Sequence, residues 1–275
     1  MNFVEFAASF GLIISDPIAD GRFHRTRTED HPRKKNGAYL YTGDRGVVKN
    51  FATMTGFETW KDSQVRHNVG RAVVKDIAAS LKAERDRHAK ARIEAGKLID
   101  ACKRGKHPYL AAKGFPEADG LIHEGGDLVL PMRDRLDYGT VNTVQRISAD
   151  GSKLFLTGGK AKGSIFILGK GARGERFLVE GYATALSVQA ALMDLRKRCE
   201  IWVCFSDSNL LYVAQFLSKG SLVVADNDVS GAGEKAARAS GLPWAMPPEV
   251  GMDANDWHQK YGLRELVKLI LTIGQ

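Results

Sequence analysis

Residues 176–195 read RFLVEGYATALSVQAALMDL, and they are followed by IWVCF at 201–205 and by SLVVADNDVSGAGEKAA at 221–237. This stretch decides the fold, because strands that alternate with helices form βαβ units and a mostly parallel sheet. The apolar runs are continuous, as expected for strands that are covered on both faces. The sequence therefore predicts an α/β unit. Its helices are expected over 183–195, 209–219, 234–240 and 263–273.

Acidic residues follow two of these predicted strands. Glu180 comes directly after FLV, Asp226 ends LVVAD, and Asp228 lies two residues further on. Ligands of a parallel sheet lie beyond the carboxyl ends of its strands, so we expect the three carboxylates to gather at one edge. Clustered carboxylates repel one another, and a hard divalent cation removes that cost. The alternative for D-x-D at a strand end is a turn or a helix cap, but EGYATA after a neighbouring strand favours the metal site.

These motifs resemble those of the Toprim domain, which DnaG-type primases share with type IA and II topoisomerases, OLD-family nucleases and RecR proteins. The finer resemblance is to primases of the phage and plasmid kind, to which FLVEGYATALSVQAAL, VVADNDVSGAGEKAA and the later acidic motif GMDANDWHQKYG are similar. Upstream, HPYLAAKGF, LVLPMRD and DGSKLFLTGGKAKG resemble the region before Toprim in those proteins. DGRFHRTRTEDHPRKKNGAYL and NFATMTGFETW resemble their N-terminal domain more loosely.

The resemblance implies a fold and a set of site residues. The expected fold is α/β, with a C-terminal Toprim domain whose mostly parallel sheet is flanked by helices, after a smaller mixed α+β basic N-terminal region. Its expected parts are a basic template-binding region over 1–105 that ends in a long charged helix, a β-rich region over 106–174, and a catalytic domain over 175–275. The implied catalytic and metal-binding residues are Glu180, Asp226 and Asp228, with Glu180 either an acid/base group or a metal ligand. Asp253 and Asp256 are expected to help hold a second metal; alternatively, this motif is a capped helix start with Asp256 as the N-cap.

Basic residues outnumber acidic ones, which favours a polyanionic partner such as nucleic acid. The net charge is +8, and the pI is about 9.3. The candidate nucleic-acid or nucleotide contacts are Arg22, Arg25, Arg27, Lys34, Lys35, Lys160, Lys162, Lys170 and Arg173. Aromatic residues beside the first cluster (Phe23, Tyr39, Tyr41 and Phe51) complete a composition typical of single-strand binding, and the alternative is a solvated loop. GGKAKG at 158–163 is either a phosphate-holding loop or a basic hairpin. GKGARG at 169–174 fits GxGxxG, but a strand follows it where a dinucleotide site requires a helix.

Other signals exclude several classes of protein. Three unpaired cysteines and the lack of HExxH or a Cys/His ligand set argue against a disulfide framework and a zinc site. No apolar run reaches the length of a transmembrane helix. No P-loop is present, so the helicase region of many relatives is missing. We therefore expect Mg²⁺, with Mn²⁺ as an alternative and no zinc, in a protein of the bacterial host cytoplasm.

The sequence predicts a DNA primase that makes short primers by Mg²⁺-dependent nucleotidyl transfer. Its expected partners are a single-stranded DNA template, nucleoside triphosphates and a separate replicative helicase, with no membrane. The first alternative is a Toprim nuclease or topoisomerase-like enzyme that cleaves DNA. The second is a non-catalytic accessory protein that coats single-stranded DNA during replication.

Overall fold

The structure is a computed structural model that describes residues 1–62, 70–170, 175–217 and 220–273, with the backbone alone described for 70–78. The chain divides into two compact units, Met1–Arg85 and Asp86–Gln275, called here the first and second units. The predicted contact residue Arg173 and the predicted helix end at 219 lie outside the described residues. No helix in the described ranges combines the length and the apolar character that a bilayer span requires.

The first unit is an antiparallel sheet with one short helix. Helix α1 is Phe3–Ala8, and the strands are β1 (Leu12–Ile13), β2 (Phe23–Thr28), β3 (Gly37–Tyr41), β4 (Arg45–Asn50) and β5 (Glu58–Lys61). The strands pair antiparallel in chain order, so successive strands form hairpins. The apolar residues of segment 3–14 predict one short helix, but α1 ends at Ala8, because Gly11 turns the chain with a φ of +73° and Leu12 then pairs with Thr28.

Helix α1 packs against one face of this sheet. Phe3 stacks on Tyr41 with ring centroids 4.5 Å apart, and Tyr39, Val48 and Trp60 are buried around it. A side chain at position 46 of β4 would collide with this packing, since a Cβ there would lie 2.2 Å from the Phe3 ring. Close approach of the helix therefore requires glycine in the strand.

Helix α2, Gly70–Asp100, contains the boundary between the units and confirms the predicted long charged helix. The second unit then forms β6 (Lys103–Gly105), α3 (Pro108–Ala112), β7 (Gly120–Ile122), β8 (Leu128–Asp134), β9 (Val141–Ile147) and β10 (Lys153–Phe155). These strands pair antiparallel, and the segment 106–174 is rich in strands as predicted. Strand β11, Ser164–Leu168, pairs antiparallel with β8 on one side.

On its other side, β11 borders a group of parallel strands. The remaining strands are β12 (Arg176–Val179), β13 (Glu200–Val203), β14 (Ser221–Val224) and β15 (Trp244–Ala245). The strand order is β10-β9-β8-β11-β13-β12-β14-β15, and β11 is antiparallel to β13 while the last four strands are parallel. The predicted parallel sheet is therefore present, with β12 between β13 and β14.

Helices cover both faces of the parallel strands. They are α4 (Tyr182–Asp194), α5 (Asp207–Ala214), α6 (Ala232–Ser240), α7 (Ala254–Tyr261) and α8 (Leu263–Leu271). Phe177 and Val179 of β12 belong to the core formed with α4, α7 and α8, whereas Leu178 belongs to the core formed with α5 and α6. Alternate residues thus enter different cores, which explains why the strand has no polar face.

Candidate functional site

The carboxyl end of β12 fixes the position of Glu180. The carbonyl oxygens of Val179 and Glu180 accept backbone hydrogen bonds from Cys204 and Phe205, each 2.8 Å long. Phe205 is a buried residue with a φ of +69°, a conformation that L-residues rarely adopt. Helix α4 begins directly afterwards, with Gly181 as its N-cap. Glu180 is therefore held at the edge of the sheet by the neighbouring strand.

The segment that carries the two aspartates is tied to the start of α7. Asn227 N–H donates to the Met252 carbonyl at 2.9 Å, and the Gly251 N–H donates back to the Asn227 carbonyl. The Asn227 side chain also donates to the Pro247 carbonyl at 2.9 Å. These bonds bring the D-x-D segment after β14 beside the later acidic motif, although the two lie far apart in sequence.

Asp228 is held by the beginning of α6. Its carboxylate accepts hydrogen bonds from the backbone N–H groups of Ser230 at 2.8 Å and Gly233 at 3.0 Å, and from the Ser230 hydroxyl. Partial burial raises its pKa, but these hydrogen bonds outweigh that effect and lower the pKa below the ordinary value. The turn-and-cap alternative for D-x-D thus describes the surroundings of Asp228 well.

Asp226 has very different surroundings. Its Oδ1 is buried and has no hydrogen-bond partner among the described residues. Burial, followed by the charges of Asp253 and Glu180, raises the pKa of Asp226 to about 8, and Lys153 acts in the opposite direction. No turn or cap accounts for this carboxylate, so the alternative that fits Asp228 does not fit Asp226.

Glu180 is affected by several of the same neighbouring charges as Asp226. Burial raises the pKa of Glu180, the charges of Asp207, Asp228 and Asp253 raise it further, and Lys153 lowers it. The carboxylates predicted after the two strands therefore interact electrostatically at one edge of the sheet. Sequence reasoning missed Asp207 and Lys153. Asp207 follows IWVCFS at the end of a third strand, so the rule that identified Glu180 could also have identified Asp207. Lys153 lies on β10, in the DGSKLF segment, and no spacing rule links it to the site.

The later acidic motif forms a capping box at the start of α7. Asp253 accepts a hydrogen bond from the Asp256 N–H at 2.8 Å, and Asp256 accepts one from the Asp253 N–H at 3.3 Å. The alternative interpretation, a capped helix start, describes this segment, but the N-cap is Asp253 and not Asp256, which is the third helical residue. Asp256 also forms an ion pair with Lys113 at 3.3 Å. A metal-binding role for either aspartate stays a prediction.

Asn255 is a buried connector between three segments. Its side-chain amide donates to the Lys113 carbonyl at 2.9 Å and to the Ser187 hydroxyl at 3.0 Å, and its oxygen accepts from Gln259 at 3.0 Å. His258 also contacts the Ser187 hydroxyl, and burial lowers the pKa of this histidine. The network holds the start of α7 against α4 and the end of α3. Asn255 is therefore a positioning residue for the acidic motif.

A cleft of about 370 Å³ opens beside this edge. Its lining includes Tyr109, Lys113, Lys153, Thr184 and Asp253, together with the α4 N-cap glycine. Thr184 is buried, and its hydroxyl has no partner among the described residues. Burial, then the charge of Asp253, raises the pKa of Tyr109 to about 12. Two lysines and the N-terminal end of α4 give this cleft a favourable environment for an anion next to the carboxylates.

The predicted basic contacts fall in three places. Lys160 forms an ion pair with Asp134 at 3.1 Å, and the Lys162 ammonium lies 4.6 Å from the centre of the Tyr212 ring. Lys170 is exposed after β11. The contacts in the first unit (Arg22, Arg25, Arg27, Lys34 and Lys35) are all exposed. The eight predicted contacts that the structure describes therefore belong to two different units, and Arg173 lies outside the described residues.

The residues at the sheet edge fit a divalent cation that is shared with a substrate. Among the described residues, no three Asp, Glu, His or Cys side chains are arranged to hold a metal ion on their own. Mg²⁺ is usually bound by one or two carboxylates together with waters and substrate phosphates, so a complete protein cage is not required. The unpartnered oxygen and raised pKa of Asp226 are the features that such an ion would relieve.

No family model matches the sequence. The chain is similar to a chain of a solved complex in which the bacteriophage T7 lagging-strand DNA polymerase interacts with the primase domains of two gp4 subunits bound to an RNA/DNA hybrid and dTTP. The TM-score is 0.45 at 16% identity, over 63% of this chain and 93% of that chain. A primase fragment of the bacteriophage T7 primase-helicase has a TM-score of 0.38 at 18% identity, over 59% and 69% of the two chains. The DnaG catalytic core has a TM-score of 0.36 at 18% identity, over 54% and 51%.

Proposed function

We propose that this chain is a DNA primase of the phage and plasmid kind, which joins nucleotides on a single-stranded DNA template in a Mg²⁺-dependent reaction. The observation that carries the proposal is the Asp226 carboxylate, whose Oδ1 is buried without a hydrogen-bond partner among the described residues and whose pKa is raised to about 8. A buried acid among other acids is costly to the fold, and perturbed groups of this kind concentrate at functional sites. The motif resemblance of the segments around it supports the choice of reaction.

Asp226 and Asp228 would hold the ion, with Glu180 as a third ligand or as the general base. When bound, Mg²⁺ supplies charge neutralisation for a triphosphate and lowers the pKa of the attacking 3′-hydroxyl. Asp253 is proposed to assist at a second metal position. The Asp256 carboxylate already accepts a hydrogen bond from the Asp253 N–H and forms an ion pair with Lys113. Mn²⁺ is an alternative ion for the same oxygen ligands.

The cleft provides the charges that a nucleoside triphosphate needs. Lys153 and Lys113 line it on the side of the carboxylates, where ammonium groups would pair with phosphate oxygens. Gly181, Ala183 and Thr184 at the start of α4 line the same space, and a helix N-terminus is a favourable place for an anion. Positioning and charge stabilisation would then provide most of the rate enhancement.

The test compares Asp226→Asn with Asp194→Asn, which changes an exposed aspartate at the end of α4. Labelled-nucleotide incorporation on single-stranded DNA should be lost in Asp226→Asn and kept in Asp194→Asn. Mg²⁺ should raise the melting temperature of the parent and of Asp194→Asn, and should leave that of Asp226→Asn unchanged. Normal primer synthesis by Asp226→Asn would refute the metal assignment.

The parent chain and the same two variants also distinguish the proposed function from two alternatives. A nicking assay on supercoiled DNA with Mg²⁺ detects a Toprim-type nuclease or topoisomerase-like activity, which should also depend on Asp226. A non-catalytic accessory protein would bind single-stranded DNA and incorporate no nucleotide in any variant. A separate replicative helicase, as a partner, is expected to increase incorporation on long templates without changing its dependence on Asp226.

A further inference from the structure

Asn209 is a buried residue in the first turn of α5 whose side chain makes three hydrogen bonds to the backbone. Its Oδ1 accepts from the Gly163 N–H at 2.7 Å. Its Nδ2 donates to the carbonyl oxygens of Ser164 at 2.8 Å and Cys204 at 2.7 Å. Both amide hydrogens and the amide oxygen are therefore used, which fixes the orientation of the side chain. Because Asn209 is only 6% exposed, shortening it would leave buried backbone groups unsatisfied.

On one side, Asn209 holds the end of the segment GGKAKG. This segment, 158–163, is called here the basic loop, and it carries two of the predicted phosphate contacts, Lys160 and Lys162. Gly163 is its last residue, and Ser164 begins β11. Asn209 bonds to the N–H of the first and to the carbonyl of the second. It therefore fixes the point at which the basic loop enters the sheet.

On the other side, Asn209 holds the turn that supports Glu180. Its third hydrogen bond goes to the carbonyl of Cys204, the residue that follows β13. The Phe205 N–H, one residue further on, donates to the Glu180 carbonyl at 2.8 Å. A continuous path of hydrogen bonds and peptide units therefore runs from the basic loop through Asn209 to the backbone of Glu180.

The basic loop is also held by the antiparallel strands. The Ser164 hydroxyl donates to the Lys160 carbonyl at 2.7 Å and accepts from the Asn142 side chain at 3.0 Å. The Lys160 ammonium pairs with Asp134 at 3.1 Å, and 42% of the Lys160 side chain is still exposed. The backbone that carries this lysine therefore has a defined position, while the side chain is accessible to a phosphate.

The amide of Asn209 adds direction to contacts that are otherwise apolar. Leu210, Val213 and Ala214 of α5 already pack in the core beneath this helix. Hydrophobic contact is non-directional, whereas a fully satisfied buried polar group specifies one arrangement. Asn209 therefore defines the relative position of two segments whose packing does not depend on it alone.

We propose that Asn209 is a positioning residue, which fixes the basic loop relative to Glu180 so that phosphate groups held by Lys160 and Lys162 reach the carboxylates in one geometry. This role rests on the proposed function, and it adds a residue that contacts neither the phosphates nor the metal ion. A displacement of about 1 Å can cost about 100-fold in rate, although the charges that bind the phosphates are still present. Loss of Asn209 is therefore expected to lower kcat and to change affinity far less.

The test measures steady-state nucleotide incorporation on single-stranded DNA by the full chain, well below its melting temperature. Asn209→Ala should lower kcat by about 100-fold, with much smaller changes in the KM for nucleotide and the Kd for template. Ile270→Ala is the matched control, because it removes a buried side chain of α8, outside the basic loop and β13, and should lower the urea midpoint but keep kcat. Ser164→Ala removes two hydrogen bonds of the basic loop without changing α5, and should lower kcat even if Asn209→Ala does not fold.

A double-mutant cycle separates positioning from a general loss of structure. Lys160→Ala combined with Lys162→Ala removes the groups that the basic loop presents, so adding Asn209→Ala should lower kcat by less than about 2-fold more. A further fall of about 100-fold would show that Asn209 does not act through the basic loop, and would overturn the proposal. Mg²⁺ should still raise the melting temperature of Asn209→Ala, and loss of that shift would likewise overturn it, because Asn209 would then act on the metal site.

The outcomes also distinguish this role from the proposed function. A parent chain that incorporates no nucleotide refutes the proposed function itself. Normal synthesis by the parent, with kcat unchanged in Ser164→Ala and no lower in Asn209→Ala than in Ile270→Ala, refutes the positioning role alone.

Discussion

Replacing Gly233 by alanine should disrupt the acidic edge, which is the end of the parallel sheet that carries Glu180, Asp226 and Asp228. The cause would be a steric clash and not a change of charge. Gly233 lies in the first turn of α6 against the backbone of Asp226. A Cβ at this position would lie 2.2 Å from the Asp226 carbonyl oxygen, whereas ordinary contact begins near 3.4 Å, so the helix and the strand end must separate by about 1.2 Å. The hydrogen bond from the Gly233 N–H to Asp228, now 3.0 Å long, would then be broken.

The expected cost follows from these two losses. Overpacking costs about 1–3 kcal/mol, and a lost hydrogen bond to a charged group costs about 1.5–3 kcal/mol. The two share one displacement and are not additive, so we expect Gly233→Ala to lower the free energy of unfolding of the second unit by about 2–4 kcal/mol. Gly96→Ala is the matched control, because a Cβ there meets nothing within 4 Å among the described residues of the same unit. Removing a helical glycine without a clash should stabilise by about 0.5–1 kcal/mol.

The assay is urea unfolding of both variants, followed by thermal melts with and without Mg²⁺. Gly233→Ala should unfold at lower urea, and its Mg²⁺-induced shift should be smaller than that of Gly96→Ala, because Asp228 has moved. A Gly233→Ala variant as stable as Gly96→Ala would show that the close approach of α6 to Asp226 is not a real constraint.

Three further predictions use the same unfolding measurements. Leu178→Ala should cost about 2–5 kcal/mol, because Leu178 is fully buried beneath α5 and α6, whereas Leu136→Ala at an exposed position should change little. Asn255→Leu should cost about 2–4 kcal/mol, since three partners each lose a hydrogen bond worth about 1 kcal/mol, and an unchanged midpoint would contradict the connector role. Burial raises the pKa of Asp134, but hydrogen bonds from the Leu136 N–H, from Lys160 and from Asn142 lower it to about 2. A depressed folded-state pKa stabilises above the unfolded value of about 3.9. This stability should be lost as the pH falls from about 4 to 2, and Asp134→Asn should show a smaller loss over that range.

The fold of the parallel sheet could be predicted from the sequence because its strands are short, continuous and each followed by a helix. Phe177 and Leu178 are buried in two different cores on opposite faces of β12, and for this reason the strand is a continuous apolar run in the sequence. Glu180 and Asp226 could be placed for the same reason, since topology alone puts strand ends at one edge.

Other features depend on contacts that the sequence does not encode locally. Lys153 reaches the acidic edge from an antiparallel strand, and Asn255 bonds to a carbonyl more than a hundred residues earlier in the chain. In the first unit the ladder register places the basic residues of the strands on one face of the sheet (Arg25, Arg27, Arg45, Lys49 and Lys61), and a one-residue shift would move them to the other face. The end of α1 also escaped prediction, because the apolar residues of this segment continue past Gly11 into β1.

The pairing of Asn227 with Met252 has a consequence for synthesis on the ribosome. The acidic edge is assembled from segments that leave the ribosome at different times, and the last of them, at the start of α7, follows β15. Until that segment emerges, the D-x-D turn lacks the backbone partner that orients it. A nascent chain whose central strands have already formed would therefore still lack the complete acidic edge, which is assembled only when the start of α7 has emerged.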